Sequence, residues 1–207
     1  MKYCASILLA VVCLVLFSAP ASTEYTAEEW KRLKTGEIII SEKEEDNPDG
    51  SQNLLFIAKC YIKASRQEVW KVLRNYNSFY EFFPNVRSTK VVKQEGETYW
   101  VEYMTKVLFV KAQYTLRFDG VEKYVRIESK LDKSRPHDIR DSYSIWYFED
   151  APDNSGTIVT YTSFVDTGIP APKALARKAA SSSLPKVLVN VRKRVESGGK
   201  WKKPEGE

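Results

Sequence analysis

Two periodicities divide the chain into strand-like and helical stretches. From Asn53 to Ala64 apolar residues occupy every second position, which predicts a half-buried strand. Gly36 to Glu45 is also strand-like, and the turn-forming residues Asn47 to Ser51 between the two stretches favour a hairpin. Before them, Thr26 to Leu33 predicts a short helix with Thr26 as its N-cap.

The period changes to that of a helix after the second strand and then returns to two. Ser65 and Glu68 have the spacing of a capping box, which predicts a helix ending near Asn75. Ser78 to Phe83 predicts a second short helix. Turn residues such as Asp119-Gly120 then separate six strands, which must run antiparallel because their connections are short. The predicted strands are Val86–Gln94, Tyr99–Val110, Lys111–Phe118, Tyr124–Leu131, Ile139–Phe148 and Thr157–Val165.

The C-terminal part returns to helical spacing, from about Pro172 to Ser197. Pro185 lacks a backbone N–H, so it is expected to bend this helix or to restart it with Ser183 as a new N-cap. The element order predicts an α+β fold. A strongly curved antiparallel sheet wraps around the long C-terminal helix, and two short helices follow the first long strand.

The first 21 residues have the features of a secretory signal peptide. Lys2 precedes an apolar run from Ala5 to Phe17, and Ala19-Pro20-Ala21 offers small residues for cleavage. The run is shorter than the ~20 residues of a membrane-spanning helix. We therefore expect cleavage after Ala21 and a periplasmic or secreted protein. Its parts would be an N-terminal helix and first strand (22–52), a main domain (53–197) and a basic, flexible tail (198–207).

Composition limits the chemistry. A chain of 207 residues suits one domain besides the signal peptide. Without that peptide, Cys60 is the only cysteine and His137 the only histidine, which excludes an internal disulfide and a four-ligand structural zinc site. We predict no metal and no cofactor. Neither residue is predicted to be catalytic, because His137 lies in a charged loop and Cys60 on the apolar face of a strand.

Positive charge is concentrated near the C-terminus. Residues 170–203 contain ten lysines and arginines and one acid, Glu196, whereas the preceding part is slightly acidic. An anionic membrane would attract such a segment by about 1 kcal/mol per well-placed cation, although a solvated helix face would have the same composition. The candidates for membrane docking are Lys186, Arg192, Lys193 and Arg194. A nucleic-acid partner is not expected, given the export signal and the acidic body.

Several motifs, in their order along the chain, resemble the START-like or polyketide cyclase superfamily. The motifs are Glu68-Val69-Trp70, Phe79 to Val86, Trp146-Tyr147-Phe148, Gly156 to Tyr161, and Gly168-Ile169-Pro170 followed by Leu184 to Leu188. The likeness covers roughly Asn53 to Glu196 and is greatest to the bacterial cyclase/dehydrase and lipid-transport branch, which includes coenzyme Q-binding proteins. It implies a helix-grip fold with a hydrophobic cavity between the sheet and the C-terminal helix.

The resemblance implies that this cavity holds a lipid, quinone, sterol or polyketide. The residues are compatible with it, because Ala176 and Ala180 pack thinly and several strands carry large side chains. The candidates for the lining are Trp100, Tyr103, Met104, Tyr114, Arg117, Trp146, Phe164, Ala176, Ala180 and Leu184. The sequence leaves open which face of each strand turns inward, and whether these aromatic residues simply fill a core.

Two functions follow from this likeness. The first is an exported, monomeric protein that binds or transports a hydrophobic ligand, with the helix and the loop after Phe118 gating the cavity. The alternative is a cyclase/dehydrase-type enzyme acting on a polyketide-like or aromatic substrate, assisted by Arg117, Tyr114 or Tyr103. Export favours the first, because carrier-bound polyketides are cytoplasmic.

Overall fold

The computed structural model describes residues 25–46, 52–107, 110–169 and 172–205. The predicted signal peptide and its cleavage site lie outside these ranges. In chain order the elements are α1 (Ala27–Lys34), β1 (Ile39–Asp46), β2 (Gln52–Ile62), α2 (Arg66–Leu73), a 3₁₀ helix (Tyr76–Glu81), β3 (Val86–Glu95), β4 (Thr98–Val107), β5 (Val110–Glu122), β6 (Arg126–Leu131), β7 (Asp141–Asp150), β8 (Thr157–Asp166) and α3 (Lys173–Glu196). None of the described helices is long and apolar enough to cross a lipid bilayer.

The eight strands form one antiparallel sheet in the order β1-β2-β8-β7-β6-β5-β4-β3. The sheet is curved and not closed, and it has an inner face, which packs against α3, and an outer face. Residues that are register partners on neighbouring strands point to the same face. The predicted fold class is confirmed.

Local sequence signals explain where the short helices begin. The backbone N–H of Glu29 donates to Thr26 Oγ1 at the start of α1. At α2 the capping box is complete, because the Ser65 hydroxyl accepts from the Glu68 N–H and the Glu68 carboxylate accepts from the Ser65 N–H. Each pair satisfies N–H groups that would otherwise lack a partner at a helix start.

The turn predicted at Asp119-Gly120 is wrong. β5 continues to Glu122 through an irregularity in its pairing with β6, and the chain turns only afterwards, where Tyr124 has a φ of 64°. Gly120 lies in close contact with α2 and its C-cap, because a Cβ there would be 3.0 Å from a guanidinium nitrogen of Arg74 and 3.4 Å from Trp70. No separate loop therefore follows Phe118.

The predicted restart of the C-terminal helix is also wrong, since α3 is continuous from Lys173 to Glu196 and Ser183 lies inside it. Proline in a helix interior costs about 3 kcal/mol. Burial of Leu184 and Leu188, on either side of Pro185, holds the helix together against that cost.

The segment after α3 differs from the flexible tail expected from the sequence. The ammonium group of Lys203 donates to the carbonyls of Phe83 and Val86 at 2.6 and 2.8 Å, and its backbone N–H donates to the Glu81 carbonyl. Trp201 packs against the core. These contacts tie the tail to the 3₁₀ helix and the start of β3.

Candidate functional site

Three serines lie side by side on the inner face of the sheet. Ser129, Ser144 and Ser163, on β6, β7 and β8, are register partners and form what we call the serine row. Ser129 and Ser144 are buried with their hydroxyl oxygens 2.8 Å apart. Phe118 and Phe56 continue the same level on the strands to either side. The serines place small side chains and hydrogen-bonding groups between these two aromatic residues.

Three tyrosines border the serine row. Tyr161 stacks on Trp146 with ring centroids 4.0 Å apart, and Tyr103 and Tyr114 stack across β4 and β5 at 5.6 Å. Burial raises the pKa of Tyr114 to about 12 and that of Tyr103 well above its usual range. Burial also raises the pKa of Tyr161, although the hydroxyls of Ser163 and Ser144 partly oppose the rise. All three therefore remain neutral phenols at neutral pH.

The N-terminal half of α3 crosses the inner face at this level. Arg177 donates to both carboxylate oxygens of Glu42 on β1, at 2.9 and 3.0 Å. Glu42 is the register partner of Phe56, which is the partner of Ser163. Ala180 and Leu184 of α3 are buried in the same core. The helix thus buries a small residue, Ala180, in the core at about this level.

The structure divides the predicted cavity lining between the two faces. Five candidates lie on the inner face or on the buried side of α3: Tyr103, Tyr114, Trp146, Ala180 and Leu184. Contact of these five with a ligand stays a prediction. The side chain of Ala176 lies outside the described part of the structure.

Four candidates lie on the outer face and require a correction. Trp100 is the register partner of Arg117, Phe164 that of Tyr143, and Met104 follows the same alternation along β4. Val101 and Tyr103 on β4 are buried, so Trp100 and Met104, which alternate with them along the strand, point away from α3.

Trp100 and Arg117 instead line an outer groove of about 330 Å³. Lys93 lies over the Trp100 ring, 4.4 Å from its centroid, and Arg117 forms an ion pair of 3.0 Å with Asp119. Arg117 therefore cannot assist a reaction under α3. Of the three residues named for the enzymatic alternative, only Tyr103 and Tyr114 face that space.

Comparison with known proteins identifies the family. Residues 62–192 match the family model for polyketide cyclase / dehydrase and lipid transport. The chain belongs to this family. The superfamily predicted from the sequence motifs is thereby confirmed, and no curated protein matches the chain.

Solved structures share the fold of this polyketide cyclase and lipid transport domain. A STAR-related lipid transfer protein from Xanthomonas axonopodis is 20% identical with a TM-score of 0.62, over 77% of this chain and 93% of that one. A START superfamily protein from Mycobacterium smegmatis is 11% identical with a TM-score of 0.61, over 69% and 97%. The Zhui aromatase/cyclase from Streptomyces sp. R1128 is 13% identical with a TM-score of 0.56, over 77% and 94%.

Of the four membrane-docking candidates, two are exposed and two are used in contacts within the protein. Lys186 and Lys193 are exposed. Arg194 is only 6% exposed and forms an ion pair of 2.5 Å with Glu81. Arg192 donates to the carbonyl of Gly36 at 2.9 Å. Because both arginines are used inside the molecule, the docking surface predicted from the sequence has to be corrected at these two positions.

Cys60 and His137 lie apart from the serine row. Burial raises the pKa of the Cys60 thiol to about 12, although the neighbouring Arg192 opposes the rise. The Nδ1 atom of His137 lies 2.7 Å from the Ile139 carbonyl. Within the described ranges, no three His, Cys, Asp or Glu side chains are grouped so that they could hold a metal ion.

The sequence prediction missed the serine row. A signal was present, because Ser142 and Ser144 share strand parity with Trp146 and Phe148 in β7. If the two aromatic residues face the core, so must the serines. The signal for the site is therefore the small size of the residues at inward positions of β7, and not their hydrophobicity.

Proposed function

We propose that this protein is an exported binding or transport protein for an apolar small molecule. The molecule would lie between the inner face and the N-terminal half of α3. The observation that carries the proposal is the serine row, a level of small side chains facing a helix half that carries Ala180. The family description, which includes lipid transport, supports it.

The two halves of α3 are held with different strength, and this difference supports a route for the ligand. Its C-terminal half is anchored by Leu188, Val191 and Val195, all buried. Its N-terminal half is held to β1 by the partly exposed ion pairs Lys173–Glu44 and Arg177–Glu42. Such exposed pairs contribute only about 0 to 1 kcal/mol each, so this half can lift without unfolding the rest. The entrance would therefore lie at this half of α3 and not at a loop after Phe118.

Export is part of the proposal and is supported by the signal-like first 21 residues. A periplasmic or extracellular site suits a carrier of apolar molecules, which need a protein to cross water. An anionic membrane surface is the proposed place of loading and release.

The enzymatic alternative is supported by the cyclase / dehydrase part of the family description and by the two inner-face residues Tyr103 and Tyr114. Their raised pKa values keep them protonated at neutral pH. They could therefore donate a hydrogen bond to a substrate carbonyl but would not act as general bases.

The test is to fill the proposed space. Ala180→Trp should lower the occupancy of any co-purifying small molecule at least tenfold, because the indole would take the volume above the serine row. Native mass spectrometry and organic extraction of the exported protein measure this. Overpacking should cost about 1 to 3 kcal/mol of unfolding free energy, which urea denaturation checks.

Ala179→Trp is the matched control, since Ala179 is exposed on the same helix turn and should keep full occupancy. A folded Ala180→Trp variant that retains its ligand would refute the cavity.

A further inference from the structure

The side chains around the serine row carry no charge. On the strands β2, β5, β6, β7 and β8, the described inner-face positions at this level and two residues to either side are all apolar or hydroxyl-bearing. They are Leu54, Phe56, Ala58, Leu116, Phe118, Gly120, Ile127, Ser129, Leu131, Ser142, Ser144, Trp146, Tyr161, Ser163 and Val165. An ionised ligand group placed here would lose its hydration without gaining a counter-ion, which strongly disfavours binding.

The charged groups nearest to this level are already paired. Arg74, whose guanidinium lies over the ring of Tyr99 two strands from Ser129, forms an ion pair of 2.6 Å with Glu97. Glu42 lies two strands from Ser163, about 10 Å away at the usual strand spacing. Its carboxylate already accepts two hydrogen bonds from Arg177. A fatty acid or a phosphate ester would therefore have to displace one of these two pairs to gain a counter-ion.

Hydrogen-bonding capacity is nevertheless abundant. Ser129 and Ser144 share one hydrogen bond, so together they keep one hydroxyl donor and several lone pairs for another partner. Thr89, the register partner of Tyr103, is only 8% exposed, and its hydroxyl oxygen is buried without any hydrogen-bond partner in the described structure. Buried polar groups normally have partners, so the Thr89 hydroxyl is a further hydrogen-bonding group on the inner face.

We propose that the ligand is an uncharged apolar molecule with a carbonyl or hydroxyl oxygen, which the serine row recognises. The proposal rests on the proposed function and narrows it. Such a molecule loses little on leaving water and gains hydrogen bonds from Ser129 and Ser144. Free fatty acids and intact phospholipids are excluded from the class.

A matched set of probes tests the class by equilibrium dialysis at neutral pH. The probes are 2-acetylnaphthalene, which has a ketone, 2-ethylnaphthalene, which has no oxygen, and 2-naphthoate, which is an anion. The ketone should bind about tenfold more tightly than the hydrocarbon, the gain typical of one good hydrogen bond. It should also bind more than tenfold more tightly than the carboxylate.

Removing the hydroxyls should remove the preference. The Ser129→Ala, Ser144→Ala double variant should bind the ketone and the hydrocarbon with equal affinity. Ser88→Ala, on the exposed part of β3, is the matched control and should leave the preference intact. Should the double variant not fold, Ser144→Ala alone should reduce the preference at least threefold.

The outcomes separate the two proposals. If the hydrocarbon or the carboxylate binds as tightly as the ketone, the ligand class is overturned while the binding site stands. The same holds if the double variant keeps the preference. If none of the three probes binds, both this inference and the proposed function are overturned.

Discussion

The pairing of Glu81 with two cations determines how the C-terminal segment is held. Arg194 contacts Glu81 at 2.5 Å and Lys202 contacts the other carboxylate oxygen at 2.7 Å. Arg194 also donates to the carbonyl of Trp201 at 2.7 Å and lies over the ring of Phe82. Arg194, one of the cations predicted to attract a membrane, therefore connects the end of α3 to the 3₁₀ helix.

We expect this cluster to make stability depend on pH. The hydrogen bonds from Lys202 and Arg194 lower the pKa of the Glu81 carboxyl below its ordinary value. Its contribution is therefore fully present above the unfolded pKa of about 4.3 and is lost as the pH falls through the lower, folded value. Glu81→Gln should be less stable than the parent at neutral pH, by about 1 to 3 kcal/mol, and equally stable once the pH lies below the folded pKa of Glu81.

Urea denaturation across this pH range measures the difference. Glu95→Gln is the control, because Glu95 is exposed and pairs with Lys93 at the surface. An offset between Glu81→Gln and the parent that stays constant with pH would contradict the assignment.

The two tryptophans Trp100 and Trp146 mark the limit of prediction at the residue scale. Both lie in alternating strands, and alternation alone does not say which parity faces the core. The partners decide it, since Trp146 pairs with Tyr161 and Ile127 whereas Trp100 pairs with Arg117. The serine row was hidden for the same reason, because the inward parity of β6, β7 and β8 has to be known before Ser129, Ser144 and Ser163 can be placed on one face.

At the scale of elements, α3 behaves as two parts with different attachments. Beyond Ala180 its buried residues recur at helical spacing, whereas from Lys173 to Ala179 it is mostly exposed and depends on ion pairs to β1. The helix and its apolar face were predictable from periodicity. The division was not, because it depends on Glu42 and Glu44, whose inward parity only the β1–β2 register reveals.

We expect the two ion pairs to control the opening of this helix half. Glu42→Gln combined with Glu44→Gln should lower the free energy of opening the N-terminal half of α3 by about 1 kcal/mol, at about 0.5 kcal/mol per exposed pair. Amide exchange at residues 174–183 should then quicken about fivefold, while exchange at residues 187–196 stays unchanged. Hydrogen exchange read by mass spectrometry resolves the two halves.

Glu37→Gln combined with Glu95→Gln removes two exposed pairs elsewhere, to Arg32 and Lys93, and serves as the control. Equal exchange of residues 174–183 in the two double variants would show that the pairs to β1 do not hold the helix.

For the molecule as a whole, the order of periodic segments was sufficient to predict the fold class. Short connections required antiparallel neighbours, and the capping signals at Thr26 and Ser65 placed two helices correctly. The meeting of β2 with β8 could not be read from local pattern, since those strands are separated by most of the domain. That meeting brings Phe56 beside the serine row, so the site depends on a contact that no local pattern reports.

Folding also decides which basic side chains of α3 remain available to a membrane, and this changes the proposed membrane surface. Lys173, Arg177, Arg192 and Arg194 are used in internal contacts. On α3 there remain Lys178, Lys186 and Lys193, all exposed. At 3.6 residues per turn they fall within an arc of about 80°, which also includes Leu175, 57% exposed.

We therefore expect docking through this corrected face. Changing Lys178, Lys186 and Lys193 to Glu should weaken binding to phosphatidylglycerol-containing vesicles more than a hundredfold at low ionic strength, because each lysine near an anionic surface contributes about 1 kcal/mol. Added salt should weaken binding of the parent in the same way, and pure phosphatidylcholine vesicles should bind neither protein. Vesicle co-sedimentation measures all three.

The same change at Lys90, Lys111 and Lys130, exposed on the sheet, alters the net charge equally and should have little effect. An equal loss in the two triple variants would mean that net charge, and not this helix face, attracts the membrane.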